Sequence, residues 1–408
     1  MHLSIFTRTT PLLLSFCLFL CLPAIAFSSE CHKEGRWLVP GTEKFTSTAE
    51  LVKTTRNQRV VLLGEQHDIA EHHRWQLQTI SALFALHENI VLGFEMFPRR
   101  TQPALDQWVA GDLSETEFLE QSDWSKVWGY DSALYMPLFH FARINRIPML
   151  ALNINRSVVR TAGKKGLSQM TREERQGVSI PAKASDDYLE LLANTFNGHS
   201  HSKDKDKDKD KDKKTIKETL KDEQFLRFVD AQQLWDRAMA EKLAKAAQSN
   251  QAPLVIGVMG TGHIVERFGV PHQLANLGIN KTRVLLPGNS NIPCDEITTR
   301  TADGIFGLSD YSEPARAIKP LLGVHLLNEQ GTIKIVQVVE KSVAETSGLK
   351  QGDIFVTIAG KAVDSVDDVI DTIQSMRAGT WLPIEVERDG KSLEMVAKFP
   401  IESSEKSN

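Results

Sequence analysis

Four side chains in this sequence have the chemistry of a reactive or ligating site. Glu65 and His67 stand two residues apart behind Gly64, Glu95 follows Gly93-Phe94, and His263 closes the segment Gly260-Thr261-Gly262-His263. A carboxylate and a neutral imidazole can act together as general base and general acid near neutral pH. The same groups offer the mixed oxygen and nitrogen donors that suit zinc, manganese or iron, and a metal so held polarises a carbonyl or generates hydroxide. The local spacing is common and does not choose between these chemistries. What unites the residues is position, since each lies at the end of an apolar run.

The runs are Val60–Leu63, Ile90–Phe94, Ile147–Leu152 and Pro253–Met259, and the third delivers Asn153. Strands that are apolar at every position are covered on both faces, as in parallel sheets. Ligands of such sheets sit outside the carboxyl ends of the strands, so the four ends should share one crevice. The expected fold is therefore α/β, a mostly parallel central sheet with helices on both faces. Asp68 is read as the N-cap of a helix reaching about His87, whose Leu77, Ile80, Leu83 and Phe84 face the sheet while His72 and His73 are solvated in its first turn. Residues 99–141 read as a helical, aromatic-rich segment, a core element that could also wall a pocket for a flat apolar ligand, with Ser114 and Glu117 forming a capping box. A helix over 216–248 should turn Leu220, Phe225, Phe228, Val229 and Leu234 towards the sheet. Arg283–Leu286 gives a fifth strand, and the α/β domain is read as 45–300.

The chain has 408 residues, 25% of them charged and 41% hydrophobic, with a formal net charge of −4. This is the balance of a globular protein with room for two domains and no basic bias towards nucleic acid. Residues 1–26, with the apolar core Pro11–Leu22 and Ala24-Ile25-Ala26 behind it, read as a removable signal peptide, and no later stretch is apolar enough for a transmembrane segment. The expected location is exported, periplasmic and soluble. Cys17 and Cys21 belong to the signal, which leaves Cys31, in the extension 27–44, and Cys294 to pair in a disulfide-permissive compartment. Neither Cys21 nor Cys31 follows the small residues of a lipidation site, so no lipid anchor is expected. The alternating Lys and Asp residues give an exposed, flexible insert over 199–215.

After a linker over 301–317, a second module covers 318–402, followed by a tail over 403–408. Leu322-Gly323-Val324, Ser347-Gly348-Leu349, Gly352-Asp353-Ile354 and Ile358-Ala359-Gly360-Lys361 occur in order, and a helix follows with Val366, Val369, Ile370 and Ile373 on one face. This resembles a PDZ domain of the bacterial periplasmic type, a small mixed β/α fold. The resemblance implies that amides around Leu322, Gly323 and Val324 receive the C-terminal carboxylate of a partner peptide, which pairs as an added strand.

The first domain also carries a resemblance. Gly64-Glu65-Gln66-His67, Gly93-Phe94-Glu95-Met96-Phe97, Gln102 with Leu105-Asp106, Trp124, Trp128-Gly129-Tyr130-Asp131, Tyr135-Met136-Pro137, Ala151-Leu152-Asn153 and Gly260-Thr261-Gly262-His263 together resemble the ChaN-like family. That family consists of haem-binding uptake proteins and belongs with the Tiki-like and erythromycin-esterase-like group. The resemblance implies an exported protein of bacterial iron metabolism that binds haem or an iron complex, with a homodimer holding haem between its subunits. The family's haem is held through a tyrosine, and Tyr130 and Tyr135 lie in the matching segment. Other members of the group hydrolyse peptides or a lactone. They imply an alternative, a metal-dependent hydrolase in which Glu65 accepts a proton, His67, Glu95 and His263 ligate a divalent metal or act as bases, and the PDZ domain recruits substrate. A third reading is a non-catalytic scaffold.

Overall fold

In the computed structural model, the described residues are 31–202, 215–288, 294–309, 320–329, 331–376 and 379–400. The expected signal peptide, the Lys/Asp run 203–214, residues 310–317 of the linker and the tail lie outside them. The chain forms two compact units, with the described residues up to 309 in one and those from 320 in the other.

The first unit is built on an eight-stranded sheet. Its strands are β1 (Trp37–Leu38), β2 (Phe45–Thr46), β3 (Val60–Glu65), β4 (Ile90–Pro98), β5 (Met149–Asn153), β6 (Leu254–Gly260), β7 (Thr282–Gly288) and β8 (Gly304–Gly307), in the order β2-β1-β8-β7-β3-β6-β4-β5. From β8 to β5 every neighbouring pair is parallel, and β1 joins antiparallel to β8 and β2 at one edge.

All six residues of β3 are buried because helices cover both faces. Val61 and Leu63 enter a cluster with Ile80, Phe94, Phe97, Trp108 and Phe139. Val60 and Leu62 enter another with Met239, Leu243, Val270 and Leu274. Successive residues of a strand point to opposite faces, so a strand buried on both sides reads as an unbroken apolar run. The aromatic segment is thus core, and the Ser114 and Glu117 capping box is formed as expected.

Four local expectations are revised. The helix after β3 runs Ala70–Leu86 with Ile69 as N-cap and no side-chain cap, so Asp68 lies outside it. His72 and His73 are only 4% and 3% exposed, not solvated, because the first turn tucks behind the strand ends. The run after 215 breaks into Ile216–Thr219 and Glu223–Ala247, with the Asp222 side chain accepting from the Gln224 amide. Phe225 and Val229 pack with Tyr188 and Leu192 of the helix Asp186–Ser202, while Met239, Ala240, Leu243 and Ala247 cover the sheet. The fourth revision concerns Gly304–Gly307, read as linker, which is strand β8 held between β7 and β1. Cys31 and Cys294 are disulfide-bonded across a separation of 263 residues. Among the described residues no helix is long and apolar enough to cross a membrane.

The second unit is an antiparallel sheet of Val324–Glu329, Thr332–Val338, Ile354–Ile358, Trp381–Arg388 and Lys391–Lys398, with Lys361–Ala362 pairing on Ile354–Ile358. The helix Val366–Ser375 is capped by Ser365 and Asp368 and buries Val369 and Ile373.

Candidate functional site

The parallel topology brings the carboxyl ends of β3, β6 and β4 side by side, and three of the four predicted residues come with them. Glu65 is the last residue of β3, Glu95 lies within β4, and His263 sits in the short 3-10 turn Thr261–His263 after β6. His67 follows β3 and leans over the end of β6. A Cβ on Gly260 would lie 3.0 Å from His67 Cε1 and 3.6 Å from Glu95 Oε2, so a larger residue there would press on the His67 ring. Gly260 also donates its amide to Glu95 Oε2 at 2.7 Å. The fourth strand end joins as expected, since Asn153 Nδ2 donates to the Glu95 carbonyl at 3.0 Å.

The side chains form two connected groups. In the first, Glu65 Oε1 lies 2.7 Å from His67 Nδ1, and Glu65 Oε2 lies 3.0 Å from His73 Nδ1. Burial alone would raise the Glu65 pKa, but hydrogen bonds from His67 and His73 overcome it and hold it at about 2. Burial disfavours a charged His67, yet its bond to Glu65 and the nearby Glu95 charge leave its pKa raised. His72 accepts the Gln66 amide through Nδ1 at 2.9 Å, and burial keeps it neutral with a pKa of about 4.

In the second group, His263 lies between two carboxylates. Its Nδ1 is 2.6 Å from Asp236 Oδ1 and its Nε2 is 3.3 Å from Glu95 Oε1. Tyr188 donates to Asp236 Oδ2 at 2.9 Å. Burial opposes protonation of His263, but the Glu95 and Asp236 charges prevail and raise its pKa to about 10. Burial pushes Asp236 up, whereas Glu95 is held below its ordinary value, against its own burial, chiefly by the His263 charge.

The aromatic segment belongs to the same site. Tyr135 donates to Glu65 Oε1 at 3.0 Å, and the His67 ring packs edge-on to Trp128 at 4.6 Å and to Tyr130 at 5.2 Å between centroids. Of the two tyrosines singled out in the sequence, Tyr135 is fully buried, and burial and the Glu65 charge raise its pKa, so its phenol stays a committed donor. Tyr130 is 38% exposed and open to a ligand, and the His67 side chain beside it is 28% exposed.

The expected metal set is not assembled. Glu65, His67, Glu95 and His263 fall into separate hydrogen-bonded groups whose oxygens already face ring nitrogens or an amide. Among the described residues no group of three or more His, Cys, Asp or Glu side chains is arranged to hold a metal ion. Sequence reasoning missed Asp236, Tyr188 and Gln232, the last with its Nε2 3.0 Å from His263 Nδ1; all three lie on helices with nothing in their local pattern to mark them. It also missed a basic cleft beside Trp128 and Trp235.

In the second unit, Leu322, Gly323, Val324, Val369, Ile370 and Ile373 line a groove of about 330 Å³. Val324–Glu329 is the edge strand along it. The Leu322 and Gly323 carbonyls accept from Ala344 and Val339 at 2.8 and 2.9 Å, which fixes the loop. Gly323 has φ +81°, and a Cβ there would lie 2.3 Å from Ser342 Cβ.

Residues 51–274 match a family model described as haem-binding uptake, Tiki superfamily, ChaN, and residues 320–398 match the PDZ domain. Serine protease HTRA1 of Xenopus tropicalis is 30% identical over 135 residues, covering 29% of this chain and 28% of that protein. A probable periplasmic serine endoprotease, DegP-like, of Chlamydia trachomatis is 35% identical over 71 residues, covering 17% of this chain and 14% of that one. The chain spans less than a third of these curated relatives. Among solved structures, ChaN of Campylobacter jejuni with cofacial haem is 19% identical, covering 67% of this chain and 96% of that chain with a TM-score of 0.49.

Proposed function

Because the chain belongs to the haem-binding uptake family of the Tiki superfamily and carries a PDZ domain, we propose that it is an exported haem-binding protein of iron uptake that docks the C-terminus of a partner protein. The observation that carries the reading is the placement of Tyr130, a half-open phenol packed against Trp128 and His67 at the mouth of the strand-end crevice. A phenolate is an established axial ligand of haem iron, and aromatic rings beside it offer a flat apolar face. These residues fit the group: Tyr130 would hold the iron and the partly exposed His67 ring would contact the macrocycle, with Trp128, only 6% exposed, packed beside both. Bound haem would supply the iron and its redox chemistry. Glu65, His73 and Tyr135 lie behind His67 and fix its ring, so they are positioning residues. Export is supported by the apolar segment Pro11–Leu22 and by the bonded pair Cys31 and Cys294.

The test is a haem titration of the purified protein followed by absorbance, with light scattering before and after loading. Saturable binding with a Soret shift that changes in Tyr130→Phe supports the reading, and an increase in mass to two copies on loading would support haem held between subunits. Absence of saturable binding overturns it.

A second reading, acid and base hydrolysis of a peptide or ester, is favoured by the Asp236, His263 and Glu95 chain beside the partly open His67. In that reading Glu95 and Asp236 hold His263 protonated as an acid, and Glu65 orients His67 as the base. Hydrolysis lost in both His67→Gln and Glu95→Gln would support it, and equal turnover by both variants would exclude it.

A further inference from the structure

Beside the strand-end crevice lies a cleft with two adjoining lobes of about 270 and about 480 Å³. Arg100, Lys126, Arg156 and Arg160 line it, with Trp128 and Trp235 as apolar walls, and no carboxylate is among its lining residues. Arg100 pairs with Asp123 at 2.6 Å, whereas Lys126, Arg156 and Arg160 stand in no ion pair among the described residues. Such a concentration of positive charge without ion-pair partners, around a concave and partly apolar wall, raises the local concentration of anions. Trp128 joins this cleft to the site already described, because its ring also contacts His67 at 4.6 Å and Tyr130 at 5.6 Å between centroids.

We infer that this cleft is a carboxylate-binding subsite for the propionate side chains of haem, with Lys126, Arg156 and Arg160 as their counter-charges. The inference rests on the haem-binding reading. A porphyrin seated on Tyr130 and His67 carries its two anionic carboxylates on one edge. The surface running from Trp128 into the cleft offers guanidinium groups, which take carboxylates in bidentate geometry. The macrocycle would thereby be oriented in its own plane, which one axial ligand cannot do.

The test compares haem with its propionate dimethyl ester on the wild type, on R156E/R160E and on the milder R156Q/R160Q. These arginines are exposed, so unchanged melting curves are expected and serve as the folding control. Haem affinity should fall by about tenfold in the charge-reversed variant and by less in the glutamine variant. The dimethyl ester should bind the wild type more weakly than haem does and should bind all three proteins alike. Rising salt should weaken haem binding to the wild type more than to R156E/R160E. If the wild type binds haem but all three proteins bind it equally, the subsite is overturned while the haem reading stands. If the wild type binds no haem, the haem reading itself fails, and the subsite with it.

Discussion

Tyr135 donates its phenolic hydrogen to Glu65 Oε1 at 3.0 Å, and this one bond ties the aromatic segment to the end of the first parallel strand. Glu65 in turn holds His67, whose ring packs on Trp128 and Tyr130. The carboxylate and imidazole groups at the strand ends and the aromatic patch are therefore in contact with one another. The two tyrosines divide the labour, one buried as a donor and one open to solvent.

Exchanging each tyrosine for phenylalanine should separate those roles. Tyr135→Phe deletes a hydrogen bond to a buried carboxylate and should cost about 1–3 kcal/mol in urea unfolding, with the Soret band of bound haem little changed. Tyr130→Phe should leave stability within about 0.5 kcal/mol and alter the Soret band. The opposite pattern would reverse the assignment.

Stability should be greatest near pH 6.5, the ordinary histidine value. Glu65 is lowered from 4.5 to about 2, so its contribution is full above 4.5 and is lost as pH falls through about 2. His72 is lowered from 6.5 to about 4, so the unfolded chain takes its proton first and stability falls between 6.5 and about 4. His263 is raised from 6.5 to about 10, so its contribution is full below 6.5 and fades as pH rises to about 10. Melting temperature measured across this range checks all three, and His72→Gln should remove the upper part of the acid limb. A wild-type Tm that stays flat on the alkaline side would contradict the His263 assignment.

Asp236 is fully buried between His263 and Tyr188. Asp236→Ala should cost about 3 kcal/mol, because it leaves the buried Nδ1 side of His263 and the Tyr188 phenol without their acceptor while Glu95 alone faces the imidazole. Chemical denaturation gives the number, and a loss below about 1 kcal/mol would mean that Asp236 is not needed to hold His263.

The PDZ groove should depend on the backbone at Gly323. Gly323→Val forces a side chain into Ser342 and into a positive-φ position, so peptide affinity should drop by about tenfold or more. A C-terminally amidated peptide should bind the wild type more weakly than the free acid does. Equal binding of the two peptides would remove carboxylate capture from the groove's role.

Much of this protein is written locally in its sequence. Unbroken apolar runs ending in a polar side chain, three of them with a glycine, identified four strand ends, because burial on both faces leaves no alternation. Ser114 with Glu117 announced a helix start, because capping depends on residues three apart. The ordered glycine turns of the second unit did the same for the PDZ fold. Tertiary structure alone decided what stands opposite each group. Periodicity gives a helix one inward face without saying what that face meets, so His72 and His73 read as solvated though the first turn tucks them behind the strand ends. Asp236 reads as an ordinary helix residue until β6 brings His263 against it. The short Gly304–Gly307 segment becomes a strand only because Trp37–Leu38 and β7 supply its ladder partners. The cleft of Lys126, Arg156 and Arg160 is likewise invisible in the chain, since charges on separate elements sum to a field only when the fold places them around one concavity.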